Sequence, residues 1–442
     1  MPEIVELGPF SHARAWALAR RLDEERRGVA LLDGEGWGGL TLAVDPIDET
    51  RVPIAAGALE RVASAVDRCA GPATVGWNGE RRGPRWIGVV AYEAARDLER
   101  ATWTRGGGVD DRPPPVGEAA VLRRYGACLR RDARTGLAAV EGDDAASVRR
   151  LVAEARADRP GPTACAPLSL AAVDGDDDHR HRVEAAIALI ERGDLYVVNL
   201  AREFAGRSEA TATAILATLL ARTSARYAAA LDLGEHVVAS ASPELFLRTL
   251  HDERGRVLVR TAPIKGTRAR GVDAASDRLA RLDLDADPKE RAELTMIVDL
   301  ERNDLGRVAR TGSVRTLGAA RVVATRTVLH RFQQVGAWLA DGATLGELLR
   351  ATLPSGSVTG APKVRAMEVI ATLEATRRGL YCGALIVLDR GGDLTASMAI
   401  RTVVQRDGEA RCHAGGGIVA DSVPEREVAE TIWKTRQLRA GS

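Results

Sequence analysis

The chain has 442 residues, 45% of them hydrophobic, with 62 basic against 61 acidic residues and a net charge of +1. That composition excludes intrinsic disorder, and the missing basic surplus argues against nucleic acid as the main partner. No apolar run approaches about 18 residues, so no membrane span is expected, and the acidic start Met1-Pro2-Glu3-Ile4-Val5-Glu6 lacks the plan of a secretory signal.

The five cysteines (Cys69, Cys128, Cys165, Cys382, Cys412) are scattered and lack CxxC spacing. They read as reduced thiols of a cytoplasmic protein, not as a disulfide frame or a zinc site. Of the 62 basic residues only four are lysines, Lys265, Lys289, Lys363 and Lys434, leaving 58 arginines (62 − 4). Arginine replaces lysine freely on a surface. It cannot do so where a compact ammonium, or an amine that sheds its proton, is needed. The four lysines therefore mark candidate sites. Among them, Lys265 alone is expected in a loop, Pro263-Ile264-Lys265-Gly266-Thr267.

In chain order, residues 1 to about 150 mix short apolar runs with Gly and Pro breaks, as in Val29-Ala30-Leu31-Leu32 and Trp86 to Tyr92. Gly106 to Pro115 reads as an exposed loop. Ala157 to Pro167 has linker composition. The expected division is an N-terminal region 1–156, a linker 157–169 and a catalytic region 170–442, as two domains or one interleaved unit.

Beyond the linker, Val183, Ala186, Ile187 and Ile190 form a helical stripe over His179 to Arg192. Leu195 to Phe204 reads as a strand and Thr213 to Ala221 as a helix. Tyr227 to Leu233 and His236 to Ala241 flank a Gly234-Glu235 turn. Leu245 to Leu250 and Val257 to Thr261 are further strands. Asp287 as N-cap and Pro288 at the first helical position start a long helix through DPKERAELTMIVDLERNDLGRV. Strands are predicted at Val322 to Val328 and Gln334 to Leu339, then a helix at Leu345 to Thr352, a Gly/Ser/Thr loop and a helix from Pro362. Strands at Gly383 to Leu388 and Ala396 to Val404 lead to a Gly triplet and a last helix from Pro424. Many strands with several helices make an α+β or mixed α/β fold.

Four constellations carry chemistry. Glu290 with Glu293, and Glu427 with Glu430, are i, i+3 pairs, each on one helix face. Opposed, they make an oxygen-only cage suited to Mg²⁺. Alternatively, Glu290 completes a capping box with Asp287, and the acidic first turns serve the helix dipole. The loop Pro354 to Lys363 runs into a helix N-terminus and offers an anion site with Ser357 and Thr359, or is an ordinary connection. Gly415-Gly416-Gly417 lets backbone approach a ligand, or makes a tight turn. Arg401, at the end of a strand-like run, can grip a carboxylate bidentately, or be one more surface arginine. Lys265, with Glu244 some twenty residues earlier, can act as nucleophile or base. The residues alone imply an Mg²⁺-dependent enzyme acting on a small carboxylated substrate.

Five strings, TAPIKGTRARG, DPKERAELTMIVDLERNDLGRV, PSGSVTGAPKVRAMEVI, YCGALIVLD and GGGIVADSVPEREVAETIWKTR, together resemble the chorismate-utilising enzymes over residues 175–440. That family includes anthranilate synthase component I, aminodeoxychorismate synthase component I and isochorismate synthases. The resemblance implies an anthranilate synthase component I-like fold, with two large mostly antiparallel β-sheets sandwiched by helices. It implies Mg²⁺ held by Glu290, Glu293, Glu427 and Glu430 and bridging to the ring carboxylate of chorismate. It implies substrate contacts at Thr267, His330, Ser357, Tyr381, Arg401, Gly415 and Gly417.

Within the family, PIAGT resembles anthranilate synthases, whereas the PIKGT found here resembles aminodeoxychorismate synthases, the precursor step to 4-aminobenzoate for folate or a specialised metabolite. The resemblance implies that Lys265 attacks C2 of chorismate, that the C4 hydroxyl leaves with help from Glu244, and that ammonia adds at C4. The alternative is anthranilate or 2-amino-2-deoxyisochorismate formation. Isochorismate synthases carry a base lysine aligned with Val197, where valine cannot serve; many amination-type relatives have glutamine there. Leu31-Leu32-Asp33-Gly34 is only loosely similar to the string that helps bind feedback tryptophan in anthranilate synthases. No cysteine sits in a Gly-rich elbow, so ammonia is expected from a separate glutamine amidotransferase subunit or from solution.

Overall fold

The computed structural model describes residues 3–70, 83–98, 104–105, 108–109, 112, 117–157, 159–162 and 168–438. Most of the predicted loop Gly106 to Pro115, and residues 158 and 163–167 of the predicted linker, lie outside these. Among the described residues, strands from Glu3–Pro9 to Ala171–Ala172 build a 12-stranded sheet, and strands from Arg315–Thr316 to Pro46–Pro53 a 9-stranded one. A three-stranded sheet joins Ile264–Ala269, Val328–Phe332 and Arg321–Ala324. The pairings within these three sheets are antiparallel. Both large sheets interleave strands from either side of residues 157–169. Ala30–Asp33 pairs with Tyr227–Asp232, and Pro84–Val90 with Ala384–Asp389.

Period-two alternation with both faces apolar explains the layering. In Tyr227–Asp232, Ala228 and Ala230 join one core while Tyr227, Ala229 and Leu231 join another. The second core lies between the sheets, where Leu32, Leu231 and Val238 meet Ile87, Val121 and Leu385. The outer face of the larger sheet is covered by helices bearing Leu18, Leu22, Leu151, Ile215 and Leu219. The outer face of the other is covered by helices bearing Leu59, Val62, Leu294, Val298 and Leu348. Each such leucine withdrawn from water contributes on the order of 1.5–3 kcal/mol. The result is the expected pair of large antiparallel sheets sandwiched by helices. No helix among the described residues is long and apolar enough to cross a membrane.

In chain order, the elements that carry the site are β1 (Val197–Arg207), β2 (Leu245–His251), β3 (Ile264–Ala269), α1 (Pro288–Gly306), β4 (Val328–Phe332), α2 (Lys363–Leu373), β5 (Glu409–Ile418) and α3 (Pro424–Thr435). Several local expectations are corrected here. The predicted strand Val322 to Val328 is two strands joined by a turn, closed by the Thr325 amide on the Val328 carbonyl at 2.8 Å. The predicted strand Ala396 to Val404 breaks at Ala399 to Arg401, where the chain leaves one large sheet for the other. Lys265 lies in strand β3, not in a loop, beside a register shift between Ile264 and Thr267 that Gly266 permits with φ +85°. The Gly triplet is strand interior, with Gly415, Gly416 and Gly417 opposite Ala201, Leu200 and Asn199. A helix at Ala274–Ala286 was not foreseen.

Candidate active site

A cavity of about 610 Å³ opens where β1 and β5 meet the small sheet and the N-terminal turns of α1 and α3. That size suits a small organic ligand. Its wall holds every residue to which the resemblance gives a role, Glu244, Lys265, Thr267, Glu290, Glu293, His330, Ser357, Tyr381, Arg401, Gly415, Gly417, Glu427 and Glu430, but neither Thr359 nor Lys363.

The fold explains why residues so far apart in sequence converge. Pro243 and Glu244 span the gap between Val237–Ser242, in the 12-stranded sheet, and β2, in the 9-stranded sheet. Arg401 sits at the reverse crossing, from Leu394–Met398 to Thr402–Arg406. The sharp change of direction puts Arg401 at φ +51°, a left-handed conformation that costs a non-glycine residue energy. The two crossings are tied together: the Ala241 amide donates to the Arg401 carbonyl at 3.0 Å, and the Met398 amide to the Glu244 carbonyl at 3.2 Å. Both side chains thus hang from rigid sheet ends, not from long loops.

Two opposed helix starts supply the acidic end. Asp287 caps α1 by accepting from the amides of Lys289 and Glu290 at 2.9 and 3.2 Å. The Glu290 carboxylate does not complete a capping box; it accepts from Arg268 at 3.2 Å. Arg268 also holds Asp287 at 2.7 Å and Asp283 at 2.8 Å, which ties the unforeseen helix Ala274–Ala286 to the start of α1. On α3, Glu427 accepts from Ser422 at 2.8 Å, and Glu430 meets the Lys434 ammonium at 2.6 Å. Burial raises the pKa of Glu293, reinforced by Glu290 and Glu430 and opposed by Lys265 and Lys289. Burial also raises Glu427, with Glu430 adding to it. Crowded, partly buried carboxylates of this kind are poised for a divalent cation that would relieve their repulsion. The four glutamates offer only carboxylate oxygens, the donor type that Mg²⁺ takes, with Glu290 and Glu430 paired to Arg268 and Lys434. A separate convergence, Glu118, Glu235 and His236, already has its carboxylates held by Arg51 at 3.0 and 4.0 Å.

The opposite end is cationic. Arg401 donates to the Thr223 hydroxyl at 3.3 Å, and no carboxylate of the described residues pairs with it. Burial lowers its pKa, and the nearby Arg436 lowers it further. A partly buried guanidinium without an anion calls for one from the ligand. His330, pushed down to about 4 by burial with Arg401 adding to it and the Gly266 backbone opposing, is neutral; its Nδ1 shares a 3.0 Å hydrogen bond with Thr267, and its buried Nε2 has no hydrogen-bond partner among the described residues. Tyr381 stacks on His413 with centroids 5.4 Å apart, and burial raises its hydroxyl pKa far enough to keep it a donor.

The glycines make room. A methyl group on Gly415 would stand 2.1 Å from the Leu200 carbonyl oxygen, and one on Gly416 would stand 2.9 Å from Glu427. On Gly417 it would stand 3.2 Å from the Lys265 Nζ and 3.6 Å from the Val197 side chain. In the predicted anion loop Ser357 stays on the cavity wall and Thr359 turns inward. Thr359 is buried and donates to the Ser355 carbonyl at 2.8 Å, and Ser357 donates to Glu244 at 2.8 Å. Burial pushes the Glu244 carboxyl up to about 7, while Ser357 and Lys265 pull against it.

Sequence reasoning missed Asn199, Arg268, His413 and Trp433, which also line the cavity. Lys289 and Lys434 were flagged by lysine scarcity without a role. Lys434 grips Glu430 and donates to the Gly415 carbonyl at 2.7 Å, coupling α3 to the glycine strand.

Similarity to known proteins extends over most of the chain. The model of the chorismate binding enzyme family matches residues 29–440. Anthranilate synthase component 1 of Streptomyces coelicolor is 38% identical over 383 residues, 80% of this chain and 71% of the relative. Aminodeoxychorismate synthase component 1 of Klebsiella aerogenes is 41% identical over 251 residues, 57% of this chain and 54% of the relative. The matches thus span about half the length of several curated relatives, 51% for the Aquifex aeolicus anthranilate synthase component 1. The crystal structure of anthranilate synthase component I from Streptococcus pneumoniae superposes with a TM-score of 0.74 at 26% identity, covering 99% of this chain and 92% of that one. The chain belongs to the chorismate binding enzyme family.

Proposed function

We propose that the chain is an aminodeoxychorismate synthase component I, aminating chorismate at C4 with ammonia to give 4-amino-4-deoxychorismate. One observation carries this reading: the Lys265 amine faces the cavity beside Gly417, and the other position abutting that glycine is the amine-free Val197. An amine at this place supports amination at C4 through a lysine adduct, and valine at the other position speaks against hydration at C2.

In this mechanism Arg401 and the glycine strand grip the substrate's carboxylates and fix its orientation. The Lys265 Nζ forms a bond to C2, the ring double bonds shift, and the C4–O bond breaks. Glu244, protonated, delivers its proton to the departing hydroxide, so water leaves. Ammonia then bonds to C4, the double bonds shift back and the C2–Nζ bond breaks, which frees Lys265. Glu244 takes up the proton shed by the new amine. Chorismate and ammonia thus give aminodeoxychorismate and water. Glu290, Glu293, Glu427 and Glu430 would hold Mg²⁺, which when bound would neutralise and orient a substrate carboxylate. Replacing Glu293 or Glu430 by Gln removes a ligand charge, so the Mg²⁺ concentration at half-maximal activity, and the Mg²⁺ affinity measured by calorimetry, are expected to weaken at least tenfold. An unchanged titration contradicts the ligand assignment.

An outside source of ammonia is expected. Burial pushes the thiols of Cys69 and Cys128 up to about 11 and those of Cys382 and Cys412 up to about 12, so none of these supplies a thiolate for glutamine hydrolysis. Cys165 lies outside the described residues. A separate glutamine amidotransferase, or free ammonia, fills that role. The second reading, anthranilate synthase component I, is favoured by the Streptomyces relative matched over 71% of its length. Product identity separates the two: with chorismate, Mg²⁺ and ammonia, coupling to a 4-amino-4-deoxychorismate lyase yields 4-aminobenzoate in the first case, and fluorescent anthranilate appears in the second.

A further inference from the structure

We propose that Glu244 and a second buried glutamate, Glu301 on α1, share one proton through the hydroxyls of Ser357 and Ser355, so that Glu301 governs the protonation of Glu244. Its catalytic meaning rests on reading Glu244 as the acid and base of the amination; the shared proton itself does not.

The chain is continuous and buried. Ser357 Oγ lies 2.8 Å from Glu244 Oε1 and 2.9 Å from Ser355 Oγ, which lies 2.6 Å from Glu301 Oε1. Glu244, Ser355 and Glu301 are 5%, 2% and 1% exposed. Three oxygen–oxygen contacts need three protons to be hydrogen bonds, and two hydroxyls supply two. With both carboxyls ionised, one contact holds no proton and two carboxylates repel in a buried site. One added proton completes the chain, and it does so in either direction. With Glu244 protonated, Glu244 donates to Ser357, Ser357 to Ser355 and Ser355 to the Glu301 carboxylate. With Glu301 protonated, every bond reverses. Passing between these states breaks three O–H bonds and forms three, and moves one negative charge from Glu301 to Glu244. Each glutamate thus determines whether the other is charged.

Polar and charged groups face both ends of the chain. Glu244 is faced by Lys265, Cys382 and the Ile264 amide. Glu301 is faced by the Thr261 hydroxyl, the Gly356 amide, Lys363 and Asp304, the last two paired at 2.5 Å. Lys363 thus acquires a place: its ammonium offsets the buried charge at the far end of the chain.

Glu301 touches no cavity surface, so it is a positioning residue. Its test is a pH profile of kcat in Glu301→Gln and Ser355→Ala, with infrared titration of the protonated-carboxyl band in the same Mg²⁺-loaded proteins. Removing the Glu301 charge removes a repulsion that raises the Glu244 pKa, so in Glu301→Gln the basic limb is expected to move to lower pH by about one unit. The wild-type pair is expected to show two widely separated carboxyl steps in the infrared titration, and Ser355→Ala is expected to bring them closer together. A mere packing defect would lower kcat at all pH values and leave the limb in place. Should Glu301→Gln not fold, Ser355→Ala decides. An unmoved limb in folded Glu301→Gln, or a wild-type spectrum with no buried carboxyl proton below neutral pH, overturns the proposal. A wild-type profile without any basic limb instead refutes the catalytic reading of Glu244 and leaves the infrared result to decide the shared proton.

Discussion

Lys265→Ala is expected to abolish formation of 4-amino-4-deoxychorismate, by roughly 10³-fold or more, as loss of a covalent nucleophile does. Chorismate binding is expected to survive, because Arg401, the glycine strand and the glutamates Glu290, Glu427 and Glu430 have holds other than Lys265. Arg401 is fixed by the crossing between sheets, and the glutamates by Arg268, Ser422 and Lys434. Any residual amination is expected at C2, the position that needs no lysine adduct. The checks are product analysis by chromatography and calorimetric titration with chorismate in the presence of Mg²⁺. Normal aminodeoxychorismate output from Lys265→Ala removes the covalent lysine from this chain's chemistry.

Glu244→Gln is expected to lower kcat by about 10²–10⁴-fold, the usual range for a positioned acid or base. The amide keeps a hydrogen bond to Ser357 and cannot deliver a proton. The pH dependence has a definite sign. The Glu244 carboxyl is pushed up to about 7, and departure of the C4 hydroxyl uses its protonated form. Wild-type kcat is therefore expected to fall as pH rises through about 7, and Glu244→Gln to lack that limb. The same shift affects stability. A carboxyl whose folded pKa lies above its unfolded value leaves the unfolded chain ionised first, so stability is lost between about pH 4.5 and 7. Glu244→Gln is expected to flatten that part of the stability profile, measured by urea denaturation at several pH values.

The acidic half of the site was legible because helical spacing alone puts Glu290 with Glu293, and Glu427 with Glu430, on single faces, and Asp287-Pro288 marks where the first helix starts. Lysine scarcity made Lys265 visible against a background of arginine. The cationic half was harder to see. Ala396 to Val404 reads as one strand because its composition favours extended chain throughout. Nothing in that alternation announces a crossing between sheets at Arg401, or its φ of +51°. Arg268 was one arginine among many, although it clamps Asp283, Asp287 and Glu290. The Gly triplet read equally as backbone open to a ligand or as a tight turn. It is strand interior, kept bare by the Leu200 carbonyl on one side and Lys265 on the other. Glu301 was invisible for a similar reason: a glutamate in a long charged helix reads as solvated, whereas it is buried against Ser355. The interleaving of N- and C-terminal strands in both large sheets is a non-local pairing, and no local pattern encodes which distant strand a segment will join.

The most direct measurement is the identity of the product formed by the purified chain from chorismate, Mg²⁺ and ammonia. Release of 4-aminobenzoate on addition of a 4-amino-4-deoxychorismate lyase, with no anthranilate fluorescence, is the expected result. Anthranilate as the main product, with no 4-aminobenzoate, contradicts C4 amination and assigns the chain to the second reading.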